Sequence, residues 1–223
     1  MPEPPSISTV DKREQILEGA MRVFLSRGYA DTSMDRAAAA ANVSKQTLYS
    51  HFRDKEGLFT ALIERVTIER TQLELGSEIL EGEPEDVLRR VAEVYLHKMD
   101  DDDYQSLFRI VIAESGRFPE LAQLYTRTVI RRGVQMLTTY FIAHPELQLS
   151  DPEAAARIFW GTLVSFLVSQ AILYGDAIMP MEHGRLIDSL VALLVMYPSR
   201  LLSAAQAVGV VAVTPATAYT PEP

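Results

Sequence analysis

Residues 32–55, TSMDRAAAAANVSKQTLYSHFRDK, encode two short helices that meet at a tight turn beside a basic edge. Thr32 or Ser33 is placed to cap the first helix, and Asp35, three residues after Thr32, completes a capping-box-like start. Five alanines, Ala37 to Ala41, keep that helix thin enough for a neighbour to sit close. Asn42 breaks the pattern, because asparagine tolerates the left-handed backbone that a tight turn often needs. Ser44 is placed to cap a second helix, in which Leu48 and Phe52, four apart, form a buried seam. The other face carries Lys45, Gln46, Thr47, Tyr49 and His51, all able to hydrogen-bond to nucleic acid. The reading is a helix–turn–helix, with its second helix expected in a DNA major groove.

Upstream, helix 1 is expected over about 11–27, with Ile16, Ala20 and Phe24 on one face, and Gly28 as its left-handed cap. Downstream, Asp54 caps a helix 4 that carries Leu58, Phe59, Leu62 and Val66 and runs on into the body of the protein. These residues resemble the N-terminal domain of the TetR family of one-component bacterial transcriptional regulators, from about Arg13 to Arg65. The resemblance lies in Phe24, Gly28-Tyr29, Thr32-Ser33-Met34, Ala41 to Ser44, Thr47-Leu48-Tyr49, Phe52 and Lys55. Asn42 stands where many members carry glycine, and asparagine suits the same backbone region. A second resemblance, over Phe108–Gly133, is to the C-terminal domain of AefR-like members.

The resemblance implies roles for single residues. Lys45, Gln46 and Thr47 are the ones expected to reach base edges, lysine donating to guanine and glutamine pairing with adenine. Thr32, Tyr49, His51 and Lys55 match positions that grip phosphates, and Ser44 starts the same helix. Lys55 lies at a helix N-terminus, where amides and dipole already favour an anion. Family membership further implies a homodimer that sets two recognition helices about 34–36 Å apart on a palindromic operator in double-stranded DNA.

A net charge of −9 over 223 residues looks wrong for a DNA binder until it is divided. Residues 1–65 carry nine Lys+Arg and nine Asp+Glu, whereas 66–223 carry twelve against twenty-one. Within 36–55 four basic residues (Arg36, Lys45, Arg53, Lys55) face one acidic, Asp54. The local field governs docking on phosphates, and the acidic body turns the N-terminal end toward DNA. The opening MPEPPSIST lacks the apolar stretch of a signal peptide, which points to a cytoplasmic protein. The apolar stretch 160–173 is interrupted by Thr162, Ser165, Ser169 and Gln170, so no membrane partner is expected.

Helical spacing dominates the whole chain. The expected fold is all-α: a three-helix N-terminal domain followed by a larger helical domain, about nine helices in all. The expected boundaries are 1–9 flexible, 10–66 DNA-binding, 67–206 effector-binding and dimerising, and 207–223 a disordered tail. Helix 8 (about 152–174) and helix 9 (about 182–204, with Pro198 kinking or ending it) are apolar on more than one face, so both faces are buried. Either they are central to the monomer, or they form a dimer seam pairing as a four-helix bundle, with Trp160, Val168, Ala171, Leu190 and Leu194 as its contacts. Phe108, Ile112, Phe118, Leu121, Tyr125, Trp160 and Val164 either line an apolar ligand pocket or are plain core. With no inward pair of Lys or Arg evident, the expected effector is a small apolar or weakly polar molecule.

Other chemistries find no support. The run Asp100–Asp103 reads as a helix cap rather than a metal site, because consecutive loop residues cannot converge on one ion. The four histidines, at 51, 97, 144 and 183, lack ligand spacing, so neither structural zinc nor another cofactor is expected. No Gly-rich phosphate loop or nucleophile elbow appears, and there is no cysteine, which argues against an enzyme. The expected function is an operator-specific repressor relieved by a small molecule. The alternative is a DNA-binding protein of the same fold that answers to a protein partner or shapes the chromosome.

Overall fold

The computed structural model describes residues 9–69 and 80–195, and every described element is helical. Expectations for 1–8, for the 70–79 connection and for 196–223, including Pro198 and the tail, lie outside the described residues. Among the described residues nine helices follow in order: α1 (Thr9–Arg27), α2 (Met34–Ala40), α3 (Lys45–His51), α4 (Lys55–Glu64), α5 (Pro84–His97), α6 (Asp102–Glu114), α7, α8 and α9 (His183–Val195). Helix α7 runs Pro119–Tyr125, widens into a π turn at Thr126–Ile130 and continues as Arg131–Ala143. Helix α8 runs Pro152–Leu167 and ends in a π turn, Val168–Ile172; α4 also ends in one, Arg65–Glu69.

Local chemistry sets most of the boundaries. Gly28 ends α1 with φ +73°, its N–H returning to the Phe24 carbonyl at 2.8 Å. Asp54 accepts from the Gly57 N–H at 2.8 Å to open α4, and Asp101 accepts from the Asp103 and Tyr104 N–H groups to open α6. The aspartate run is therefore a cap, as its sequence suggested. Ser33, not Thr32, caps α2, and the residue three after it is Arg36, so the expected capping box does not form.

The alanines of α2 serve a close approach. A Cβ on Gly19 of α1 would stand 2.5 Å from the Cα and N of Ala41, so the two helices touch backbone to backbone. Two α1 side chains then satisfy carbonyls that the end of α2 leaves open: Gln15 donates to Ala41 and Arg22 to Ala40, each at 2.7 Å. Phe24, Tyr29 and Phe59 form an aromatic knot whose fourth ring, Phe118, comes from the body, 5.4 Å from Tyr29.

In the body, α7 packs along α8, and α5 packs on α9 and also on α8. Arg89 of α5 pairs with Asp188 of α9 at 2.5 Å on the surface. Arg109 of α6 donates to the Ala171 and Ile172 carbonyls at the end of α8. The Pro152–Ile172 helix is long and apolar enough to cross a membrane by length and composition, which its interrupting polar residues had concealed. In the fold it lies against α5 and α7.

Five buried tyrosines, Tyr29, Tyr95, Tyr104, Tyr125 and Tyr140, make the fold sensitive to alkali. Burial, aided by Glu56, Glu120 and Asp54, pushes the Tyr29 hydroxyl up from 10.0 to about 12. Burial likewise raises Tyr95, Tyr104, Tyr125 and Tyr140. Each holds its proton more tightly folded than unfolded, so their stabilisation is complete below pH ~10 and is lost as pH rises beyond it. Helical circular dichroism is expected to hold to about pH 10 and then fall, the last tyrosines ionising in the same step. Ionisation of every tyrosine with the helices intact would contradict this.

Candidate nucleic-acid interface

Helix α3 is seated on the domain by one face only. Leu48 is fully buried and Phe52 is 7% exposed, while Lys45, Gln46 and Tyr49 face solvent and Thr47 and His51 are half-buried. Asn42 takes φ +53°, and the following Val43 N–H returns to the Ala38 carbonyl at 3.0 Å, which turns the chain sharply into α3. Ser44 caps α3: its hydroxyl accepts from the Thr47 N–H at 3.0 Å and lies 2.8 Å from the Thr47 hydroxyl. These two hydroxyls are partnered with each other, which leaves Lys45, Gln46 and Tyr49 as the open part of the face.

Lys45 has a local counter-ion. Its ammonium meets the Asp35 carboxylate at 2.5 Å, with both side chains more than half exposed. An exposed pair of this kind is worth about 0–1 kcal/mol, so a base or phosphate displaces Asp35 at little cost.

Two of the residues assigned to phosphate are turned inward. Thr32 is 3% exposed, and its hydroxyl donates to the Gly28 carbonyl at 2.7 Å. Lys55 donates to the Tyr29 carbonyl at 2.8 Å and the Ala30 carbonyl at 3.3 Å, and lies 4.4 Å from the centre of the Tyr29 ring. Its pKa is lowered by this burial, against the opposing pull of Glu114 and Asp31. Moreover, the α4 N-terminus is already occupied by the Asp54 carboxylate, so an anion gains little there. Lys55 is thus a clamp on the α1–α2 turn rather than an open phosphate donor. The other side of that turn faces α6, where the Ala30 N–H reaches a Glu114 carboxylate oxygen at 3.4 Å.

The pocket and dimer assignments also need revision. Ile112 is 48% exposed and lines no interior, and Phe118 is spent on Tyr29 at the junction with the N-terminal helices. Phe108, Leu121 and Tyr125 are buried in the body, with Trp160 and Val164 half-buried against the core. Leu190 and Leu194 are 3% and 7% exposed on α9, the helix packed on α5, so they are closed off from a partner chain. Val168 and Ala171 are half-buried in the π turn of α8, and Trp160 packs on Tyr95 within the monomer. The outward apolar residues are others: Ile158 and Leu193 at 60%, and Leu173, Tyr174, Ile178 and Met179 between α8 and α9 at 60% to 83%. Sequence reasoning missed them because a helix apolar all round does not say which side turns out. The small exposed residues Gly161 and Ser165, in line with Ile158, were the available signal.

Residues 16–62 match the family described as bacterial regulatory proteins, tetR family. Residues 86–197, half of the chain, match the C-terminal domain of AefR-like transcriptional repressors. The chain belongs to the TetR family. TetR-family proteins are transcriptional regulators rather than enzymes, and they bind operator DNA. Among named relatives, the HTH-type transcriptional regulator AcrR of Shigella flexneri is 35% identical over 82 residues, 36% of this chain and 38% of that protein. The uncharacterized HTH-type transcriptional regulator YvkB of Bacillus subtilis is 23% identical over 185 residues, 82% of this chain and 94% of that protein. Among solved structures, the flavonoid-responsive regulator FrrA superposes with a TM-score of 0.61 at 28% identity, covering 86% of this chain and 96% of that one.

Proposed function

We propose that this TetR-family chain represses transcription as a homodimer on a palindromic operator, working in the cytoplasm, and that a small apolar or weakly polar molecule releases it. The observation that carries the reading is the open face of α3, where Lys45, Gln46 and Tyr49 stand free of the core on a helix of seven residues. So short a helix reads few base pairs alone, and a two-fold partner supplies the second half-site. The outward apolar residues on α8, α9 and the loop between them offer a surface for that partner. A small-molecule effector draws support from FrrA, a relative whose name describes a flavonoid response.

The test is selection of genomic fragments by the purified protein at about 0.15 M salt, beside a Lys45→Ala/Tyr49→Ala control. Enrichment of one or a few palindromic sites, lost in the control, is expected. Binding to many unrelated sites would point instead to a chromosomal architectural role. The dimer has its own check. Leu193→Glu, at a position 60% exposed in the monomer, is expected to leave helix content unchanged while halving the solution mass. Operator affinity is expected to fall by at least about a hundred-fold, since half the contacts are lost. A dimer of undiminished mass would move the interface elsewhere.

A further inference from the structure

An acidic side chain stands on the face that meets DNA. Asp35, in the first turn of α2, has alanines three and four residues on, Ala38 and Ala39, so the next turn offers it no cation. Arg36, beside it, turns back to the Asp31 carbonyl. Asp35 reaches instead to Lys45, at the first position of α3, whose ammonium meets its carboxylate at 2.5 Å. The two side chains are 57% and 65% exposed, so a donor and an acceptor lie side by side at the surface.

The N-terminal residues of a recognition helix meet base edges, while the helix before it crosses the phosphate backbone. A carboxylate placed there is repelled by phosphates and lowers affinity for DNA of any sequence. Being acceptor-only when ionised, it has one kind of partner to gain in the major groove, a base amino group.

A G·C pair presents such a group beside acceptors. Along its major-groove edge lie guanine N7 and O6, both acceptors, and then the cytosine N4 amino group, a donor. O6 and N4 are bonded to each other, about 2.9 Å apart, close to the 2.5 Å between Lys45 and Asp35. An ammonium has three donors, so Lys45 can serve N7 and O6 and keep Asp35, whose carboxylate has lone pairs left for the N4 hydrogen. On a phosphate the pair must open, because Asp35 is carried toward like charge. The other base pairs fit worse. A·T sets its amino group beside the N7 acceptor, which repels the carboxylate, and sets the thymine methyl group beside the oxygen left for lysine. A reversed C·G pair puts each charge on the wrong group.

We propose that Lys45 and Asp35 together read one G·C pair in each half-site, the ammonium on guanine and the carboxylate on the cytosine amino group. This rests on the operator-binding reading and gives it a base pair. Asp35 is the specificity-determining half of the contact: it makes a cation that suits any phosphate into a reader of one edge.

The full chain is titrated by anisotropy against its selected operator and against copies with each base pair of the half-sites changed in turn, a series that needs no protein variant. One G·C position per half-site is expected to lose about ten-fold or more on change to any other pair. At that cytosine, N4-methylcytosine still pairs with guanine but carries a methyl group in place of its major-groove N4 hydrogen. It is expected to weaken the parent about ten-fold and Asp35→Ala by less than about two-fold. Asp35→Asn keeps the shape and removes the charge. It is expected to bind unrelated DNA more tightly, while its preference at that position narrows to below about three-fold. Lys45→Ala is expected to lose its preference at the same base pair. An Asp35→Asn protein that gains affinity for all DNA with its base preferences intact makes Asp35 a mere charge and overturns the proposal. So does an N4-methylcytosine operator bound as well as the unmodified one, or loss of preference at different base pairs in the two variants. A parent that prefers its operator with no such G·C position overturns the paired reading alone; a parent with no preference at any position overturns the operator reading beneath it.

Discussion

The double change Lys45→Ala/Tyr49→Ala is expected to weaken operator binding by at least about a hundred-fold with no measurable change in melting temperature. Lys45 and Tyr49 are exposed, so neither truncation opens a cavity. Lys45 loses only its surface pair with Asp35, worth about 0–1 kcal/mol. On DNA the balance is different. A base contact is worth about 1–3 kcal/mol, a phosphate contact adds a counterion-release term, and a dimer loses each of them twice. The salt dependence of the residual binding is also expected to flatten, because fewer phosphates are neutralised. Filter binding or anisotropy on a selected site at two salt concentrations checks this. A loss of less than about five-fold would remove α3 as the reading helix.

Gly19→Ala is expected to destabilise the protein by about 2–3 kcal/mol, lowering its melting temperature by roughly 5–10 °C. The sign is informative, because alanine for glycine inside a helix ordinarily stabilises by roughly 0.5–1 kcal/mol. Here the added Cβ meets the Cα and N of Ala41 at 2.5 Å, and backbone cannot rotate aside as a side chain does. To admit a methyl group α1 and α2 must separate, which also strains the Gln15 and Arg22 bonds to the end of α2. Since α2 carries α3 into place, operator affinity is expected to fall with stability. Thermal and urea unfolding of parent and variant settle the sign, and an unchanged or higher midpoint would refute the contact.

Much of the DNA-binding end was legible because its signals are local. Asn42 in a left-handed turn, Ser44 and Asp54 as caps, Gly28 at the end of α1 and the Leu48–Phe52 seam each depend on residues within a few positions. Thr32 against Ser33 was left open by the same logic, because adjacent hydroxyl residues offer the same cap. Only the fold chose, by turning the Thr32 hydroxyl back to Gly28.

The body was legible as helices and not as a surface. Period and capping residues locate α5 to α9, but α8 and α9 are apolar on several sides, and sequence carries no record of which side another helix covers. Leu190 and Leu194 could be seam contacts or core of the monomer by sequence, and they lie inward; Leu193, between them, is the one that faces out.

By itself, then, the sequence determined the all-α class, the helix–turn–helix, the family resemblance and the α3 face of Lys45, Gln46 and Tyr49, since caps, turns and helical periodicity act within a turn or two of chain. The tertiary structure alone decided that Lys55 clamps Tyr29, 26 residues away, that Gly19 meets Ala41, and that Trp160 rests against Gly133 with an unmet N–H. Those contacts join residues far apart in the chain, and packing, not propensity, selects them.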